Sequence, residues 1–276
     1  MLHRIYINLS FQTFMPSTHI DHVIRRLEYV IQWSKKNNSR IGYFAALYER
    51  VTIEIDKNID LKTFNYNDQM MRFDVIFAEY YLMAFESYMR GEPVSEVWKI
   101  AFDKTKDDRL SVIQHLLLGM NAHINLDLAV TVSNVSTPET LEDLKEDFFA
   151  INKILFGLVD LVEDQIGRIY KSLKFFDKIL GRVDEHIVNK LMEKYRDRAW
   201  QLAIELTQLN GYERTEKILA VDKEIATFAE NSIAKPIGTR LKIGNYLIRR
   251  KEANKIKEII DILHSGDTYE KWDVII

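Results

Sequence analysis

The sequence predicts an all-α fold, a large bundle of about nine or ten helices around a buried central helix at residues 108–132. Three observations predict it. Only 10 Gly and 4 Pro punctuate 276 residues, too few for a strand-rich chain but enough for helices joined by short loops. Apolar residues recur at three- and four-residue spacing through most of the chain. One stretch, 108–132, is apolar in every direction when wound as a helix, the mark of a helix surrounded by others.

The elements follow in order. Ser17 or Thr18 can cap a first helix reaching about Lys36, with Ile20, Val23, Ile24, Leu27, Val30 and Ile31 on one face. A second, at 40–56, turns Tyr43, Phe44, Leu47, Tyr48, Val51 and Ile55 inward. Asn67 or Asp68 caps a third that ends at about Arg90, where Gly91 and Pro93 stop it. A short helix at 94–105 carries Trp98 and Phe102, and the central helix follows. Thr137-Pro138 starts a long helix toward Leu180, with a break expected near Gly157 or Gly167 and a stop at Gly181. Asp184 caps the next, to about Gln208, and another covers 212–233. Lys235-Pro236-Ile237-Gly238 then interrupts the chain before final helices at 237–249 and 251–264. We expect a single helical domain over 1–276, with its core at 40–208 and a C-terminal helical appendage at 212–276.

Composition removes several function classes. The 38 basic and 41 acidic residues leave a net charge of −3 without a long single-sign block, so nucleic acid is not an expected partner. The absence of Cys excludes disulfides, thiolate zinc sites, iron–sulfur clusters and a thiol nucleophile. The opening residues do not read as a secretory signal and no apolar run approaches a transmembrane length, so a cytoplasmic location is expected. No P-loop, dinucleotide fingerprint, nucleophile elbow or His-Glu-x-x-His motif occurs, and no nucleotide cofactor is expected.

The central helix carries the chemistry. Despite its apolar character it holds Gln114, His115, Asn121, His123, Asn125 and Asp127. Wound at roughly 100° per residue from His115, His123 and Asp127 fall near roughly 80° and 120°, whereas Gln114, Asn121 and Asn125 gather at roughly 240–280°. Two polar stripes therefore face two neighbours. An unpaired buried amide costs about 1–3 kcal/mol and a buried carboxylate more, so Asp127 needs a cation, a donor network or a proton. His123, one turn before it, can bind one metal with it, while His115 lies about 12 Å from His123 along the axis and is too far to share that ion. Asp74, in the apolar run FDVIFAEYYLMAF, is the second inward carboxylate, as a ligand, a general base or a salt-bridge partner of Arg196 or Arg198. Asp147, Asn152, Arg196, Asp197 and Trp200 stand on later helices as further pocket candidates. Asn121 and Asn125 can equally tie the helix to neighbouring backbone.

The run HLLLGMNAHINLDLAV at 115–130 resembles the bacterial family known as domain of unknown function 5995. The resemblance extends to YFAALYERVT at 43–52, FDVIFAEYYLMAF at 73–85, EVWKIAF at 96–102, EDFFAINKIL at 146–155 and RDRAW at 196–200. It implies that these segments form one unit; that family carries no established activity. A more local resemblance is to zinc-dependent phospholipase C and the related single-strand nucleases, in which a Gly-xxx-His-xxx-Asp helix supplies zinc ligands. Gly119, His123 and Asp127 reproduce that spacing, although the Gln-Pro-x-His segment that follows it there is replaced by Leu128-Ala129-Val130.

Two functions are consistent with this pattern. In the first, a metal-dependent hydrolase of phosphoester or lipid-like ester substrates uses His123 and Asp127 to bind one divalent ion, zinc, manganese or iron. Asp74 then adds a ligand or acts as general base, and His115 donates or shuttles a proton. In the second, a non-enzymatic helical module binds a small molecule or a protein, and the same polar residues form a network that fixes helix packing. Self-association into a homo-oligomer is open on either reading.

Overall fold

A computed structural model describes residues 17–170, 185–235 and 255–265. These contain ten α-helices and two π-helical turns. The helices are α1 (Ile20–Asn37), α2 (Ile41–Asp60), α3 (Asn67–Met89), α4 (Glu96–Lys104), α5 (Val112–Ala122), α6 (Leu128–Val135), α7 (Leu141–Tyr170), α8 (Glu185–Gln208), α9 (Gly211–Phe228) and α10 (Ile256–His264). The π turns are His123–Asp127, between α5 and α6, and Ala229–Ile233, after α9. The predicted all-α bundle is observed.

The central helix is the composite of α5, the first π turn and α6. It starts at Val112 rather than 108, because Ser111 and Gln114 form a capping box in which the Ser111 hydroxyl accepts from the Gln114 N–H and the Gln114 side chain accepts from the Ser111 N–H. It runs three residues past the expected end, to Val135. Helices α2, α3, α4, α8 and α9 all pack against it. Its 24 residues, Val112–Val135, are long and apolar enough to span a bilayer by length and composition, contrary to the expectation drawn from the sequence. The most apolar 18-residue window is 83% buried within the bundle.

Tertiary contacts moved several helix ends. His19, not Ser17 or Thr18, caps α1; Ser17 instead donates its N–H and hydroxyl to Glu79 on α3. Helix α3 is anchored from outside, by the Asp147 carboxylate, which accepts the N–H groups of Asn65 and Tyr66 at 2.8 Å each. Its end is as expected, with Gly91 at φ 71° and its N–H on the Tyr88 carbonyl. Helix α7 begins at Leu141, after a turn at 138–140, and continues through Gly157 and Gly167 to Tyr170 without the expected break. Its proposed continuation to Leu180, the Gly181 stop, the Asp184 cap and the helix at 237–249 lie outside the described residues. Of the stretch 251–264, α10 covers Ile256–His264. Its Ile256, Ile259, Ile260 and Leu263 join the same buried cluster as Ile20 of α1 and Ile225 of α9.

Candidate functional site

The π turn places His123 and Asp127 together. Its i to i+5 bonding, seen in the Leu128 N–H on the His123 carbonyl, brings residues four apart closer to alignment than an α-helix does. His123 Nδ1 lies 3.2 Å from Asp127 Oδ2. The same oxygen accepts the indole N–H of Trp98 on α4 at 2.8 Å. Trp98 is held in turn from α9: the buried Asp222 carboxylate accepts the N–H groups of Glu96 and Val97 at 2.7 and 2.9 Å, pinning the first turn of α4. A relay thus runs from Asp222 through the start of α4 to Trp98, Asp127 and His123.

The end of the relay is closed. His123 is 3% exposed and Asp127 2%. The imidazole stacks on Phe77 of α3, with centroids 3.7 Å apart and planes 8° from parallel, and meets the edge of Tyr48 of α2 at 4.4 Å. Burial drives His123 down and Asp127 up, Trp98 opposing part of the carboxyl's rise, so the closed site disfavours the charged form of each. Among the described residues, His123 Nε2 has no hydrogen-bond partner.

Asp74 is equally buried, and its Oδ2 accepts no hydrogen bond. Burial first, and then the charge of Asp56, push it up to about 7. The arginines suggested as its partners are engaged elsewhere: Arg196 donates to the Phe148 carbonyl and Arg198 to Glu224. Among the described residues, the His/Asp/Glu trio whose donor atoms all lie within 4.8 Å of one another is Glu28, Glu49 and His264; Asp74, His123 and Asp127 form no such trio. Trp98 also already donates to the Asp127 oxygen that faces His123.

His115 stands apart from the pair, 5% exposed, with neither ring nitrogen hydrogen-bonded. It lines a crevice with Arg40, Phe44, Tyr81, Trp98 and Gly119 whose free volume is about 20 Å³, room for a single water. Burial, assisted by Arg40, pushes His115 down to about 3, so it is a neutral imidazole. A larger surface depression of about 320 Å³, lined by Asp68, Gln69, Arg72 and Val135, includes none of the candidate residues.

The second polar stripe faces α9. Gln114 donates to the carbonyls of Ile233 and Lys235, and Asn121 donates to that of Ile225 at 3.4 Å. Asn125 donates to the Asn121 side chain at 3.1 Å. Further out, Arg196, buried and pushed down to about 9 by that burial, lies over the Phe148 ring, and Trp200 packs on Phe148 and Phe149. Asp147 serves the 65–66 backbone; Asn152 is partly buried and Asp197 exposed. A file of rings, Phe77 to Phe73 to Phe148, connects this group to His123.

Trp98, Tyr48, Phe77 and Asp222 were not among the sequence candidates. Trp98 carried a usable signal, since an indole N–H only donates and, when buried, usually finds an acceptor. The others carried none beyond burial.

Residues 20–235 match the family described as a family of unknown function, DUF5995, and the chain belongs to it. No curated protein and no solved structure matches the chain.

Proposed function

We propose that this DUF5995 member is a non-enzymatic helical binding module in which the Trp98–Asp127–His123 relay holds α3, α4 and the central helix in register. The closure of the relay carries the reading. His123 and Asp127 are 3% and 2% exposed, Phe77 covers the imidazole, and the crevice on the Trp98 side admits no more than a water. A hydrolase must bring an ester and a nucleophilic water to its catalytic groups, and the close packing of the described residues around His123 and Asp127 favours the module over that reading. The relay joins parts distant in sequence, with Trp98 and Asp127 separated by 29 positions and the Asp222 anchor by a further 95. Directional hydrogen bonds of this kind select one packing arrangement among apolar alternatives of similar energy.

The decisive experiment is elemental analysis of protein purified without chelator or His-tag, beside His123→Ala and Asp127→Asn, together with a phosphoesterase and lipase screen. Variants that keep the wild-type metal content and are only less stable support the module. Stoichiometric zinc, manganese or iron that both folded variants lose, along with hydrolysis of a phosphoester or lipid-like ester, would overturn it in favour of the hydrolase. That competing reading draws on the bare His123 Nε2 and on Asp74, held near the neutral range where a general base works.

A further inference from the structure

A second cluster of ligating side chains lies away from the relay, where α10 docks on α1 and α2. Glu28 of α1, Glu49 of α2 and His264, the last residue of α10, converge on one point. His264 Nε2 is 3.1 Å from Glu28 Oε2 and 2.7 Å from Glu49 Oε2. Glu49 is 3% exposed, and apart from His264 Nε2 its Oε2 has no partner among the described residues. One imidazole nitrogen and two carboxylate oxygens brought together from three helices make a donor set that one divalent ion can share.

We propose that Glu28, Glu49 and His264 bind one divalent transition-metal ion that clips α10 to α1 and α2. One imidazole and two carboxylates suit zinc, manganese or iron, and leave a coordination position for water. A tetrahedral ion with bonds of about 2.0–2.1 Å needs donor atoms roughly 3.3 Å apart, so the imidazole has to retreat from Glu49 by only about 0.6 Å. The surroundings support the ligands. Gln32 donates to Glu28 Oε1 at 2.6 Å, leaving Oε2 for the ion. Gln165 of α7 donates to the carbonyls of Leu263 and Ser265 and so fixes the end of α10 that carries His264. Glu28 and His264 are partly exposed, which provides an entry path. The clip also meets a need: α10 has nine residues, short for a self-supporting helix, and depends on its docking face and on contacts such as Lys35 with Asp261. Without metal, the two carboxylates hold His264 up at about 10, and an ion-pair triad forms the same junction.

The test is zinc titration of the chelator-treated full chain by calorimetry, with hydrogen exchange of the 256–264 amides read in parallel. Wild type should bind one zinc, and binding should slow exchange in α10. His264→Ala and Glu49→Gln should abolish both effects, Gln32→Ala should weaken zinc binding roughly 10–100-fold, and His123→Ala should leave the site intact. Absence of saturable zinc binding in wild type would show that the cluster is an ion-pair triad only. Zinc binding that survives in both Glu49→Gln and His264→Ala would place the metal elsewhere, and either result overturns the proposal. Loss of zinc in His123→Ala alone would instead revive the hydrolase reading, so the two proposals fail separately.

Discussion

Replacing Gly119 with Ala sets two effects of opposite sign against each other at the wall of the relay. Gly119 lies inside α5, where Ala is favoured over Gly by about 1 kcal/mol through reduced backbone entropy. A Cβ at this position, however, would sit 2.4 and 2.5 Å from Phe44 Cγ and Cδ2. Carbon contacts are comfortable at about 3.5–4.0 Å, so the ring would have to retreat by about 1 Å. Phe44 has little room, being ringed by Tyr81, Tyr48, Trp98 and His123 with centroids at 5.1, 5.7, 5.8 and 5.9 Å. Overpacking a dense core costs about 1–3 kcal/mol, and displacing a ring wedged among four others belongs in the upper part of that range. We therefore expect Gly119→Ala to be destabilising by about 1–2 kcal/mol after the helix gain is subtracted. Urea unfolding followed by far-ultraviolet circular dichroism measures this. Adding Phe44→Leu should remove most of the Ala penalty, giving a coupling energy on the order of 1 kcal/mol in a double-mutant cycle. If Gly119→Ala alone raised stability by the helix-propensity amount, the close approach of α2 and α5 would be wrong.

Three further outcomes follow from the same geometry. Asp127→Ala leaves the Trp98 N–H and His123 Nδ1 without their shared oxygen and should cost on the order of 3–5 kcal/mol, against about 1–2 for Asp127→Asn, which keeps an acceptor; equal losses in thermal unfolding would deny the relay its role. For Asp74 the sign is set by a folded-state value raised from 3.8 to about 7. The folded protein holds this proton more tightly than the unfolded chain between those values, so wild type should lose on the order of 4 kcal/mol of stability as pH rises through that window relative to Asp74→Asn; parallel pH profiles would refute the burial of an unpaired carboxyl. Asp222→Ala removes the acceptor of two N–H groups at the start of α4 and should lower stability by about 2–3 kcal/mol, with faster amide exchange at Glu96 and Val97; unchanged exchange there would refute the anchoring of α4 by Asp222.

Much of the architecture was legible because helix formation is local. The periodicity of Ile20 to Ile31 and of Tyr43 to Ile55, and the stop at Gly91, depend on residues within a few positions of one another, and those helices are present. The capping box of Ser111 and Gln114 was not read from the sequence, and it explains why the central helix starts later than periodicity alone suggested. The polar residues on that helix were also legible as an anomaly, since six polar side chains in an apolar-all-round segment require partners. Winding at a uniform 100° per residue separated the two stripes correctly, but it missed the π turn that brings His123 onto Asp127.

Which partner each polar group finds was decided at a different level. Asp147 looked like a pocket residue and holds the backbone of a loop; Asp74 looked like a ligand, a base or half of a salt bridge, and its Oδ2 has no hydrogen-bond partner among the described residues. Glu28, Glu49 and His264 lie on three helices and drew no notice as a group. The sequence by itself determined which segments are helical, which faces are apolar and how many polar groups must be accommodated inside, because those properties arise from neighbours along the chain. Only the tertiary structure decided that Trp98 meets Asp127, that Phe77 covers His123 and that His264 reaches two glutamates. A hydrogen bond or a metal ligand requires placement to within a few tenths of an ångström, and between helices that placement is set by the packing of the whole core.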